Sequence, residues 1–121
     1  MKRDMDLIRA ILLALEQHPG GFAPGEIAIE GATPEAVGYH VHLLAQAGLL
    51  LASDVTVLSS GSPQAKALSL TWQGHEFLDD CRNLDRWQRA KQLLGRVGSA
   101  SLPVWQRVLA DLVRQSLGLR S

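Results

Sequence analysis

Four kinds of side chain in this sequence are of types that do chemistry: the pair His40-x-His42, the adjacent His75-Glu76, the lone Cys81, and the tryptophans Trp72, Trp87 and Trp105. Two histidines hold a metal from one helix when three or four residues separate them, because only then do the rings share a face. A spacing of two turns them about 200° apart, which assigns His40 to packing and His42 to the surface. His75 and Glu76 set a base beside a carboxylate, the raw material of acid-base catalysis. Adjacent helical positions also diverge, and no nucleophile motif, phosphate-cradling glycine loop or zinc-ligand spacing accompanies them. One thiol makes neither an internal disulfide nor a zinc cage, so Cys81 reads as a buried structural residue. The tryptophans read as core or helix-docking anchors, with Trp105 and Leu109 a candidate dimer contact. No catalytic residue, metal ligand or cofactor is expected.

The elements that must position these residues follow from composition and periodicity. A chain of 121 residues, 46% hydrophobic and 20% charged, has the balance of one globular domain burying roughly two-thirds of its unfolded surface. Its longest apolar stretches, residues 11–15 and 48–52, fall well short of the roughly 20 residues that span a bilayer. The opening Met1-Lys2-Arg3-Asp4 lacks the apolar run of a secretory signal, so a cytoplasmic protein is expected.

Asp4 is placed to cap a first helix whose apolar face is Met5, Ile8, Ile11, Leu12 and Leu15, and His18-Pro19-Gly20-Gly21 ends it. Residues 22–25 form a loop, and residues 26–30 alternate polar and apolar like a short strand. Thr33, Pro34 and Glu35 then supply an N-cap, a first-turn proline and a first-turn acid. In that second helix Val37, Val41 and Leu44 share one face, Tyr39, His42, Leu43 and Gln46 point outward, and Gly48 is the stop. Residues 49–58, with Leu51, Val55 and Val57 at alternate positions, and residues 67–72, with Leu68 and Leu70, read as a hairpin around a mobile tip at 59–64. Thr71 caps a helix over 72–82 that turns Phe77, Leu78 and Cys81 inward. A further helix carries Leu84, Trp87, Lys91 and Leu94. Beyond a glycine-serine hinge at 95–100, a last helix presents Trp105, Val108, Leu109, Leu112 and Val113 as one stripe.

Charge is distributed unevenly along this frame. Lysine plus arginine equal aspartate plus glutamate at 12 each, yet no lysine or arginine lies between Arg9 and Lys66, while Glu16, Glu26, Glu30, Glu35 and Asp54 do. From Cys81 onward the balance reverses: Arg82, Arg86, Arg89, Lys91, Arg96, Arg107, Arg114 and Arg120 face only Asp85 and Asp111.

Three segments carry a family resemblance: the opening Met1-Lys2-Arg3-Asp4-Met5-Asp6-Leu7-Ile8-Arg9, Tyr39-His40-Val41-His42-Leu43-Leu44 running into Ala47-Gly48-Leu49-Leu50, and Leu70-Thr71-Trp72-Gln73-Gly74-His75-Glu76-Phe77-Leu78-Asp79. Together they resemble the bacterial and prophage family known as domain of unknown function 2513, a likeness that implies no particular activity. More loosely, Ala47-Gly48-Leu49 and Leu70-Thr71, Gly74, Phe77 and Leu78 are similar to winged-helix transcription regulators. Such regulators place two helices before the recognition helix; here only one is readable.

The expected architecture is α+β, mainly α: a winged helix over 1–82 (helix, short strand, recognition-like helix, two-stranded wing) and a helical extension over 83–121 that packs on the domain or on a second subunit. The expected function is non-enzymatic. Duplex DNA is held through lysine and arginine at phosphates, and the recognition-like helix has none. A protein partner is therefore expected at Tyr39, His42, Leu43 and Gln46, in an adaptor, inhibitor or self-associating accessory factor, phage-related if the resemblance extends to role. Trp105 and Leu109 are the candidate homodimer contact. The alternative is a DNA-binding regulator using Lys2 and Arg3 with Arg82, Arg86, Arg89 and Arg96, four arginines that would lie within about 80° of one another if residues 82–96 were one uninterrupted helix.

Overall fold

The structure is a computed structural model that describes residues 1–118; Arg120, part of the basic tail, lies outside the described residues. The chain is α+β and mainly helical, in the order α1 (Met5–Gln17), α2 (Pro34–Gln46), β1 (Leu50–Asp54), β2 (Ala65–Leu70), α3 (Trp72–Cys81), α4 (Leu84–Gly95) and α5 (Leu102–Ser116). It divides into two units, Met1–Leu78 and the residues from Asp79 onward, with the division inside α3. Among the described residues no helix is long and apolar enough to cross a membrane.

In the first unit, the Asp4 carboxylate starts α1 by accepting the Asp6 and Leu7 N–H groups, and Leu7, Ile8, Ile11, Leu12 and Leu15 are buried. Met5, assigned by spacing to that face, is only half-buried. Thr33 caps α2 through the Ala36 N–H at 3.1 Å, and Pro34 opens it as its composition requires. Gly48, at φ +78°, ends the turn that leads into β1.

The sheet corrects the sequence reading in two ways. The alternating residues Leu51, Val55, Val57 and Leu68 are exposed, and Leu50, Ala65 and Ala67 are the ones that face the core. On this face α2 packs against both strands. Leu51 pairs with Ser69 and Ala52 with Ala67, so Leu68 is the extra residue of a β-bulge.

The expected strand at 26–30 does not form; none of its residues enters a sheet. Instead the Ala23 N–H donates to the Leu68 carbonyl at 2.7 Å. The next residue, Pro24, has no N–H to continue a ladder, and Gly25 follows at a bend.

Thr71 bridges hairpin and α3. Its hydroxyl donates to the Gly48 carbonyl at 2.6 Å and accepts the Gly74 N–H at 3.0 Å. Gly74 lies against the Leu49 carbonyl so closely that a β-carbon there would sit 1.9 Å from the oxygen.

In the second unit, α3 ends at Cys81, and Asn83 starts α4 by accepting the Arg86 N–H at 2.9 Å. Residues 82–96 are therefore not one helix. Trp87 of α4 stacks on Trp105 of α5, ring centres 4.7 Å apart, and Cys81, Ala90, Leu94, Leu109 and Leu112 complete the buried set.

Candidate functional site

The predicted recognition surface starts from α2. Val37, His40, Val41 and Leu44 turn inward, which leaves Tyr39, His42 and Leu43 half-buried and Gln46 exposed. The Tyr39 and His42 rings lie 6.2 Å apart at 27°, a loose stack along the helix. His40 is 1% exposed. The Asp4 N–H donates to its Nε2 at 2.9 Å, so the proton must sit on Nδ1, which donates to the Ala36 carbonyl at 2.8 Å. Both nitrogens are occupied, and the residue ties the cap of α1 to the first turns of α2.

The hairpin tip is hydrogen-bonded to the leading end of α2. The Gln64 side-chain amide donates to the Glu35 carbonyl at 3.0 Å and lies over Gly38, where a β-carbon would meet its Oε1 at 2.0 Å. Ser62 donates to the Glu35 carboxylate at 3.2 Å. At the base of the tip, Asp54 accepts the Thr56 N–H at 2.8 Å. Hydrogen bonding by Thr56, side chain first and backbone second, and to a smaller extent the nearby His42, holds the Asp54 carboxyl below its ordinary value. The end of α2 that an anion would approach is thus already taken by a carboxylate and its partners.

Beside this surface lies a groove of about 260 Å³ that sequence reasoning did not reach. Pro24, Gly25, Glu26 and Ile27 form one wall, Val37, Gly38 and Val41 the floor, and Val55 with residues 64–67 of the hairpin the other wall. Among the described residues, Glu26, Gln64 and Lys66 bring polar side chains to it. The signal for it was present as Pro24-Gly25, which stops a ladder one bond after it starts.

In the second unit Trp105 is 7% exposed and Leu109 fully buried, with Trp105 stacked on Trp87 of the same chain, so both side chains pack within their own unit. The four arginines do not share one helix. Arg82 precedes the Asn83 cap and pairs with Asp79 at 2.9 Å. Arg86 is half-buried, its Nε enclosed without a hydrogen-bond partner, while Arg89 and Arg96 are exposed. Lys2 and Arg3 are exposed near the start of α1. Arg107, Asp111 and Arg114 pair along α5 at 3.6 and 3.8 Å, as their spacing implied. His75 is exposed, and Glu76 accepts the Trp72 indole N–H. Among the described residues no group of three histidine, cysteine or acidic side chains is placed to hold a metal ion.

Comparison with known proteins places the chain. The family model described as "Hypothetical protein (DUF2513)" matches residues 2–100. The chain belongs to that family. A relative in Haemophilus influenzae, an uncharacterized protein, is 40% identical over 121 residues, covering 97% of this chain and 99% of its own length. No solved structure matches. The DUF2513 match runs from α1 to the end of the hinge after α4, so α2, the hairpin and the groove all lie within it, and α5 lies beyond it.

Proposed function

We propose that this DUF2513 chain is a non-enzymatic protein-binding module built on a reduced winged helix, an adaptor, inhibitor or self-associating accessory factor. In this reading α2 holds the recognition position, the β1–β2 hairpin is the wing, and the single Ala23–Leu68 bond stands where the first strand of a winged helix would pair. The observation that carries it is the state of α2's leading end. Glu35 sits there, bonded by Ser62 and Gln64 of the wing, and neither α2 nor the tip has a lysine or arginine. A helix that enters a DNA groove needs cations near phosphates, since they supply most non-specific affinity. This one would bring a carboxylate. The exposed Leu51, Val55, Val57, Leu58 and Leu68 on the hairpin suit a protein surface instead.

The DNA-binding alternative would fall to Lys2 and Arg3 with Arg82, Arg86, Arg89 and Arg96. Titration of the full chain with random-sequence duplex DNA separates the two. The protein-binding reading expects affinity weaker than about 10⁻⁴ M at physiological salt, below the usual non-specific range. Micromolar binding that falls steeply with salt and disappears in the Arg86→Glu, Arg89→Glu double variant overturns it.

A further inference from the structure

We propose that the small pocket between the end of α1 and the start of α3 receives an arginine side chain from a partner protein. The proposal rests on the protein-binding reading and adds to it a second contact, built by elements other than α2.

The backbone makes the pocket. The caps of α2, α4 and α5 stay helical and return an N–H to the carbonyls of the last turn. His18, the cap of α1, is extended at φ −68° and ψ 131°, and among the described residues it makes no such return. Its Nδ1 accepts the Gly20 N–H at 3.4 Å, and the Ala23 N–H reaches the Leu68 carbonyl at 2.7 Å. Residues 20–23 thus run from the end of α1 to the end of β2. There they enclose about 100 Å³ with Leu15 and Glu16 of α1, Ser69 and Leu70 of β2 and His75 of α3. Glu16, Gly20, Gly21, Phe22 and His75 are all exposed, so the mouth is open to solvent.

Charge selects a cation. With histidine counted neutral, Glu16 is the one formally charged side chain in this lining. The helix end adds the same sign, because the last-turn carbonyls carry the negative pole of the helix dipole and α1 has no basic residue in its last turn. No lysine or arginine lies between Arg9 and Lys66 to offset it.

Shape selects a guanidinium. Phe22 lines the pocket yet is 78% exposed, and a guanidinium stacks on such a ring. Its five N–H donors meet the acceptors gathered here: the Glu16 carboxylate, the Ser69 hydroxyl, an imidazole nitrogen of His75 and the carbonyls at the helix end. An ammonium has fewer donors and no flat face. At about 100 Å³ the pocket is far below the roughly 300 Å³ where small-molecule sites begin. It suits one head group carried on a larger partner.

The test uses the intact chain, labelled with ¹⁵N. Nα-acetyl-arginine methylamide is the probe, and its lysine and citrulline counterparts are the controls. Arginine is expected to shift the amides of Glu16, Gly20, Gly21 and His75, lysine to bind more weakly, and uncharged citrulline to leave them unmoved. Glu16→Gln, at an exposed position, should weaken binding about tenfold, the scale of one charged hydrogen bond. Phe22→Ala should weaken it about threefold, the scale of an exposed cation–π contact. No shift at these amides, or binding of lysine or citrulline equal to that of arginine, overturns the proposal and leaves standing the protein-binding reading, which the DNA titration tests. A random heptapeptide display library panned against the chain decides the source. Enriched peptides that share an arginine, bind more tightly than the single-residue probe and lose enrichment on Glu16→Gln support a protein partner. Peptides that bind no better than the probe assign the pocket to a free guanidinium compound, and pocket shifts that grow with protein concentration alone assign it to a second copy; either result overturns the proposal.

Discussion

A methyl group at position 74 would lie 1.9 Å from the Leu49 carbonyl oxygen, and that oxygen belongs to backbone. The helix cannot stay where it is if Gly74 carries a side chain. Gly74→Ala should therefore destabilise the fold by about 1–3 kcal/mol or more through overpacking, read as a lowered urea midpoint with an unchanged slope. His40 was legible only in part. Its phase on α2 turned it inward, but its partner Asp4 is 36 residues away, and no local pattern announces such a bond. His40→Ala removes both hydrogen bonds and leaves a void, so a loss of about 2–4 kcal/mol is expected. His42→Ala, two residues on and half-buried, should cost less than about 1 kcal/mol. Equal losses at the two positions in parallel denaturation curves would contradict the structural assignment.

At the scale of elements, helix starts were the most readable features, because a cap acts within its own turn. Thr33-Pro34 and Asp4 opened helices where expected. Asn83 also opens one, and with that cap the continuous arginine stripe disappears; its removal in Asn83→Ala should cost about 1 kcal/mol of stability by thermal unfolding. Strands were less legible, since their inward face depends on what packs against them. The branched residues Leu51, Val55 and Val57 carried the periodicity, yet the face under α2 went to Ala65 and Ala67. The latch at the hairpin tip was invisible for a similar reason: Gln64 meets Glu35 and Gly38 only after the hairpin folds back. Gln64→Ala should leave global stability within about 0.5 kcal/mol, because these bonds are exposed. Amide exchange across residues 56–64 should nevertheless accelerate, and an unchanged rate there would show that the latch does not restrain the tip.

For the whole molecule, a formal net charge of zero hides −4 on residues 1–78 and +4 from Asp79 onward, where eight cations face four carboxylates. Opposed charge regions with no net repulsion favour association between molecules. Solubility should pass through a minimum near the sequence isoelectric point of about 6.9 and rise with moderate salt, as screening shortens the reach of these fields. Light scattering against pH and salt checks this directly, and a solubility that falls on adding salt would count against it. The charge asymmetry, the helix starts, the absence of a chemical motif and membership of the DUF2513 family were all determined by the sequence itself, because each is local or additive along the chain. Tertiary structure alone decided that Trp105 and Leu109 are buried in their own unit, that Glu35 is held by the hairpin tip, and that residues 24–27 line a groove rather than pair as a strand. Each of these depends on which distant backbone and side-chain groups meet, and packing, not local preference, settles that.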